Sequence, residues 1–140
     1  MTRSLLAIAL TLTALAIPCP APAGEPEQIQ LVSAEQVEKM LGAKDLKVYD
    51  VNIDELWEKY HLPGAIHVGA HALASILPSD KTASLVFYCT GPKCMSSHSA
   101  ALKAIALGYK NVFVMNDGIG GWLKAGKRVE KGGTGVDPVP

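Results

Sequence analysis

A single α/β domain, built on a parallel sheet with helices on both faces, is what this sequence predicts, and three observations carry the prediction. Strand-like runs alternate with helix-like stretches, the connections between them are short, and the strand runs are almost wholly apolar. A chain of 140 residues fits one such domain. In sheets of this kind ligands bind beyond the carboxyl ends of the strands, so the residues that end each strand are the first candidates for function.

The elements follow in order. Ile29-Gln30-Leu31-Val32 is a short strand, and Ser33-Ala34-Glu35-Gln36 reads as a capping box at the start of a helix. Val37, Met40 and Leu41 fall at helical spacing before Gly42 stops the run. Leu46 to Val51 is the next strand, with Asp50 near its end, and Asp54 is placed to cap a helix over Glu55 to Tyr60. His61-Leu62-Pro63-Gly64 must turn, Ala65 to Val68 is a short strand, and His71 to Ile76 is a short helix. Ser84 to Tyr88 is β-branched or aromatic enough for a buried strand, and Thr90-Gly91-Pro92 breaks it. Ser96 or Ser97 then caps a helix that runs through Leu107 to Gly108. Val112 to Met115 forms another strand, and Asn116 to Gly121 reads as a flexible turn leading into Trp122-Leu123-Lys124.

The ends are of a different kind. Residues 1–23 carry one positive charge at Arg3, an apolar run from Leu5 to Ile17, and Ala21-Pro22-Ala23 before Gly24, the pattern of a cleaved secretory signal. A retained anchor and a lipidated Cys19 are the alternatives, although the apolar run is short for a membrane span. The domain is therefore expected over residues 24–130, followed by a Gly- and Pro-rich tail over 131–140, in a secreted and periplasmic protein. Losing Arg3 with the leader leaves the basic residues one short of the 13 acidic ones, a balance that offers neither nucleic acid nor a membrane surface any purchase.

Without Cys19 two cysteines remain, Cys89 and Cys94. They cannot staple a domain and must be explained locally. Cys89 stands where a strand ends and the free N–H groups of the next helix point outward, an electropositive setting in which a thiol is expected to ionise more readily than a free one. It is the candidate nucleophile, and Gly91 lets the backbone approach a bound anion closely. Lys93 is the one charge in the loop and is expected to assist. A phosphatase reading fails on the missing guanidinium, because no Arg occurs between Tyr88 and Arg128. His61 and His67 read as structural, and Trp57 and Trp122 as core.

Four segments together resemble the rhodanese-like sulfurtransferase family. They are Val48-Tyr49-Asp50-Val51, His61-Leu62-Pro63-Gly64-Ala65-Ile66-His67, Tyr88-Cys89 with the helix after it, and Gly108-Tyr109-Lys110-Asn111-Val112 with Gly118-Ile119-Gly120-Gly121-Trp122. The likeness runs from about Gln30 to about Gly126. It implies a rhodanese-like fold with a parallel sheet of about five strands. It also implies a catalytic Cys89 that carries a persulfide, and a substrate loop of Thr90, Gly91, Pro92, Lys93, Cys94, Met95 and Ser96. Asp50 is the residue that would support that loop. The expected partners are a small sulfur donor such as thiosulfate or a persulfide and an acceptor thiol, on a protein or not, or cyanide; neither cofactor nor metal is called for.

Three departures from the family pattern bear on mechanism. Asn52 stands where Arg is common, the loop is about two residues longer than usual, and Cys94 is a second thiol inside it. Cys94 is open to several readings: a resolving thiol, half of a redox pair with Cys89, a soft metal ligand with Met95 and His98, or a packed side chain. At the level of the whole protein, the alternatives to an enzyme are a sulfur or metal carrier and a thiol-disulfide redox protein.

Overall fold

The structure, a computed structural model, describes residues 28–133. The leader expected over residues 1–23 and the tail from residue 134 onward lie outside the described residues. Strands and helices alternate strictly: β1 (Gln30–Val32), α1 (Ala34–Met40), β2 (Leu46–Asp50), α2 (Asp54–Lys59), β3 (Ile66–His67), α3 (Leu73–Ile76), β4 (Ser84–Tyr88), α4 (Ser96–Ala106), β5 (Asn111–Met115) and α5 (Gly118–Lys124). The strands form one parallel sheet in the order β1-β5-β4-β2-β3, which is the α/β architecture expected.

The sheet has two apolar faces because successive strand residues point to opposite sides. Tyr49, Leu85, Phe87, Val112 and Val114 share one face with Ala100, Ala101 and Ala104 of α4. Val48, Val86, Tyr88 and Met115 share the other with Val37 of α1 and Ile119 and Trp122 of α5. Each fully buried side chain of Val to Phe size contributes about 1.5–3 kcal/mol. An exposed ion pair such as Arg128 with Glu130 at 3.9 Å contributes at most about 1 kcal/mol, so packing on the sheet decides stability.

Some local expectations hold and others are corrected. The capping box is formed as read, with the Gln36 N–H donating to the Ser33 hydroxyl at 3.3 Å and the Ser33 N–H donating to the Gln36 side chain at 2.8 Å. Asp54 is the first residue of α2 rather than its cap, and its carboxylate joins Glu55 in a first turn where negative charge suits the helix dipole. α3 begins two residues later than expected, at Leu73. Neither Ser96 nor Ser97 caps α4; Met95 holds that position and both serines lie within the first turn. The supposed flexible turn at Asn116–Gly121 is mostly helix, because α5 starts at Gly118.

Winding reverses between β2 and β4, since β2 leads outward to β3 and β4 leads the other way to β5. Open sheets bind ligands at such a crevice. A buried polar link closes its floor. The Tyr88 hydroxyl donates to Asp50 Oδ2 at 2.5 Å and accepts the Leu62 N–H at 3.0 Å, while Asp50 Oδ1 accepts the Asn52 N–H at 2.7 Å. Burial pushes the Asp50 carboxyl up, and these donors only partly restrain it. A raised carboxyl binds its proton more tightly in the folded state, so its ionised form is a cost that fades as pH falls through the folded pKa.

Tyr88→Phe leaves Leu62 and Asp50 without that partner. It should lower the unfolding free energy in urea by about 3 kcal/mol at neutral pH, with the loss shrinking toward acid as Asp50 takes up its proton.

Candidate functional site

Cys89 is the first residue past β4 and is only 1% exposed. Its thiol donates to the Cys94 carbonyl at 3.1 Å and lies 3.4 Å from the Ser97 hydroxyl. The segment between the two cysteines folds back over Cys89 because the Cys94 N–H donates to the Gly91 carbonyl at 3.0 Å, closing a turn through Pro92 and Lys93. Ser97 lies inside the first turn of α4, two places past the cap position held by Met95, and its hydroxyl faces the cysteine.

Two supports hold the loop. Behind it, the Ile119 N–H donates to the Cys89 carbonyl at 2.8 Å and the Gly120 N–H to the Thr90 carbonyl at 3.0 Å, so the first turn of α5 is tied to the loop backbone. Gly118 makes that approach feasible. A Cβ there would stand 2.5 Å from the Cys89 carbonyl oxygen and the Gly91 nitrogen, and its φ of 60° disfavours any other residue. In front, the Thr90 hydroxyl donates to Asn52 Oδ1 at 3.0 Å, and the Asn52 backbone is held by Asp50 and by His67, whose Nε2 meets the Asn52 carbonyl at 3.0 Å. Asp50 therefore reaches the loop through Asn52 and Thr90.

The thiols divide access and charge unequally. Burial pushes the Cys89 thiol up and its interaction with Cys94 adds to the rise, against weaker help from the Ser97 hydroxyl and N–H. Burial of the sulfur works against the readily ionised Cys89 expected from the helix end. For Cys94, burial is the largest influence and raises it, but together the Cys89 thiol, the Ser96 N–H and hydroxyl and the Thr90 N–H more than offset it and leave its thiol below the ordinary range. Lys93 is exposed, and the Cys89 thiol responds to Cys94 and Ser97 rather than to it.

Cavities follow the same division. One of about 400 Å³ is lined by Asn52, Ile53, Thr90, Cys94 and Ser96 among others, and a second of about 520 Å³ by Thr90, Gly91, Pro92, Lys93 and Cys94. Cys94 borders both and Cys89 neither. Met95 is exposed at the helix cap. Among the described residues no three His, Cys, Asp or Glu side chains converge as a metal site. His61 and His67 stack on Trp57, with ring centroids 3.5 and 4.9 Å away, below the crevice. Asn52, Ser97 and Gly118 are the residues that sequence reasoning did not assign to the site. Each carries another reading in the sequence: Asn52 stands where Arg is common, Ser97 reads as a helix cap, and Gly118 is one glycine in a run that looks like a turn.

The difference between the thiols is directly measurable. Trypsin cuts after Lys93 and separates the two cysteines, so iodoacetamide labelling of the reduced protein should mark the Cys94 peptide first, by about tenfold or more, and continue below the pH at which a free thiol slows.

Comparison with known proteins bears on the family and the fold. A family model described as Rhodanese-like domain matches residues 33–125, more than half of the chain. Thiosulfate sulfurtransferase from Pseudomonas aeruginosa aligns with a TM-score of 0.65 and 27% identity, covering 81% of this chain and 22% of that one. A single-domain sulfurtransferase from Saccharomyces cerevisiae aligns at 0.61 with 19% identity, covering 73% and 94%. A 3-mercaptopyruvate sulfotransferase from Escherichia coli aligns at 0.64 with 17% identity, covering 79% and 54%. The last two likenesses concern the fold. This chain spans little more than half of the Escherichia coli protein and about a fifth of the Pseudomonas aeruginosa one.

Proposed function

The chain belongs to the rhodanese-like domain family, and we propose that it is a sulfurtransferase that forms a persulfide on Cys89 and passes the sulfane sulfur to a thiol or cyanide. The observation that carries this reading is the position of Cys89: it directly follows the central strand β4 at the point where the winding reverses, roofed by a short loop that α5 and Asn52 hold in place. The thiosulfate sulfurtransferase of Pseudomonas aeruginosa supports it as a relative of named activity.

The chemistry is nucleophilic and proceeds in two displacements. In the first, cysteine sulfur attacks the sulfane sulfur of the donor and the remainder leaves with the bonding pair. In the second, an acceptor attacks the outer sulfur of the persulfide and restores the thiol. The donor of this proposal is a persulfide rather than thiosulfate, because the crevice presents Asn52 in the place of a guanidinium and would hold a doubly charged donor weakly.

Incubation of the reduced protein with a persulfide donor should add one sulfur atom, which once loading is complete maps to the tryptic peptide that ends at Lys93. Cyanide should remove it, with repeated cycles at catalytic protein concentration and ping-pong kinetics. A wild-type protein that gains no sulfur from any donor ends the proposal, and loading once per chain without turnover makes the protein a carrier instead.

In this proposal the protein works outside the cytosol, in the periplasm, on the strength of the apolar run Leu5–Ile17 and the small residues Ala21-Pro22-Ala23. Export from a bacterial host followed by amino-terminal sequencing should read Gly24 first; a chain that stays in the cytosol and still begins at residue 1 or 2 overturns it.

A further inference from the structure

The sulfurtransferase reading leaves Cys94 without a part and Cys89 without access. With 1% of its surface exposed and no place in either cavity of the loop, Cys89 offers almost nothing to a donor arriving from solution. Cys94 lines both cavities, is half-buried, and sits where the loop brings its backbone over the Cys89 thiol, 3.1 Å from sulfur to carbonyl oxygen. We propose, resting on the persulfide reading above, that Cys94 is the thiolate that takes sulfur from a persulfide donor, and that it relays this sulfur to Cys89 within the loop.

The steps balance without an oxidant. In the first, the Cys94 thiolate attacks the outer sulfur of a donor R–S–SH. A bond forms between Cys94 and that sulfur, the donor S–S bond breaks, and R–S⁻ departs with the electron pair. In the second, the Cys89 sulfur attacks the outer sulfur of the Cys94 persulfide. A Cys89–S–SH forms, the bond to Cys94 breaks, and the proton that Cys89 gives up goes to the departing Cys94 sulfur, toward whose backbone the Cys89 S–H is already directed.

Acidity favours this direction. Thiol exchange runs faster when the leaving thiol is the more acidic, and donor groups around the loop hold Cys94 low while burial holds Cys89 high. The sulfur thus moves from the exposed thiol to the enclosed one. There Ser97, 3.4 Å from the Cys89 sulfur, is the neighbouring hydroxyl, and bulk water is excluded.

The test uses glutathione persulfide as donor under anaerobic conditions, with wild type, Cys89→Ser and Cys94→Ser proteins. Samples are quenched with an alkylating agent at intervals and cut with trypsin at Lys93. In the wild type, sulfur should appear on the Cys94 peptide first and then on the Cys89 peptide. Cys89→Ser should load Cys94 at the initial wild-type rate and hold the sulfur there. Cys94→Ser should load Cys89 at least about tenfold more slowly. Cys94→Ala, checked for an unchanged unfolding midpoint, should behave as Cys94→Ser does and so excludes a folding defect.

The relay is overturned if Cys94→Ser loads Cys89 at the wild-type rate while Cys89→Ser gains nothing. It is also overturned if the wild type yields a Cys89–Cys94 disulfide and one free sulfide per chain, which would make Cys94 a resolving thiol. A wild type that gains no sulfur at all instead removes the sulfurtransferase reading on which the relay rests.

Discussion

The buried hydrogen bond from the Tyr88 hydroxyl to Asp50 fixes the geometry on which the site depends. It joins the carboxyl ends of β2 and β4, the two strands between which the winding reverses. From its two ends hang the Leu62 N–H, which sets the path of the chain before β3, and the Asn52 N–H, which sets the crevice wall. Asn52 in turn receives the Thr90 hydroxyl, so a carboxylate with no exposed surface governs the loop two links away. An ionised carboxylate so enclosed is costly, and donors on both of its oxygens are what make it tolerable.

The second constraint is close approach. The loop after β4 lies between α5 and the crevice, and the backbone of α5 comes so near that only glycine fits at position 118. On the other side of that backbone the Cys89 sulfur is enclosed by the Cys94 carbonyl and the Ser97 hydroxyl. Enclosure suits a persulfide, which is safer away from water and stray thiols, yet it denies a donor entry. A second cysteine five residues on, facing the cavities, resolves that conflict with no movement of the core.

Much of the fold was legible because it depends on local signals. Apolar runs bounded by turn residues marked β2, β4 and β5, and the Ser33 and Gln36 pair marked the start of α1. What depends on distant partners was not. Ser96 and Ser97 both look like caps in isolation, and only the proximity of Cys89 reveals that Ser97 serves sulfur. Glycine is a poor helix former, so the helical character of Gly118 and Gly120 appears only once the loop carbonyls they approach are in place. Its place between a strand and the next helix singled out Cys89, and the likeness to the rhodanese family pointed the same way, whereas the difference in acidity between Cys89 and Cys94 follows from burial and from neighbours brought together by the fold.

The central claim is that sulfur comes to rest on the enclosed cysteine. A crystal structure of the protein after loading to completion with a persulfide donor tests it most directly. The account predicts one additional sulfur atom bonded to Cys89 Sγ beneath the loop, with Cys94 as a free thiol at the cavity edge. Extra sulfur on Cys94 alone, or a Cys89–Cys94 disulfide in its place, would contradict it.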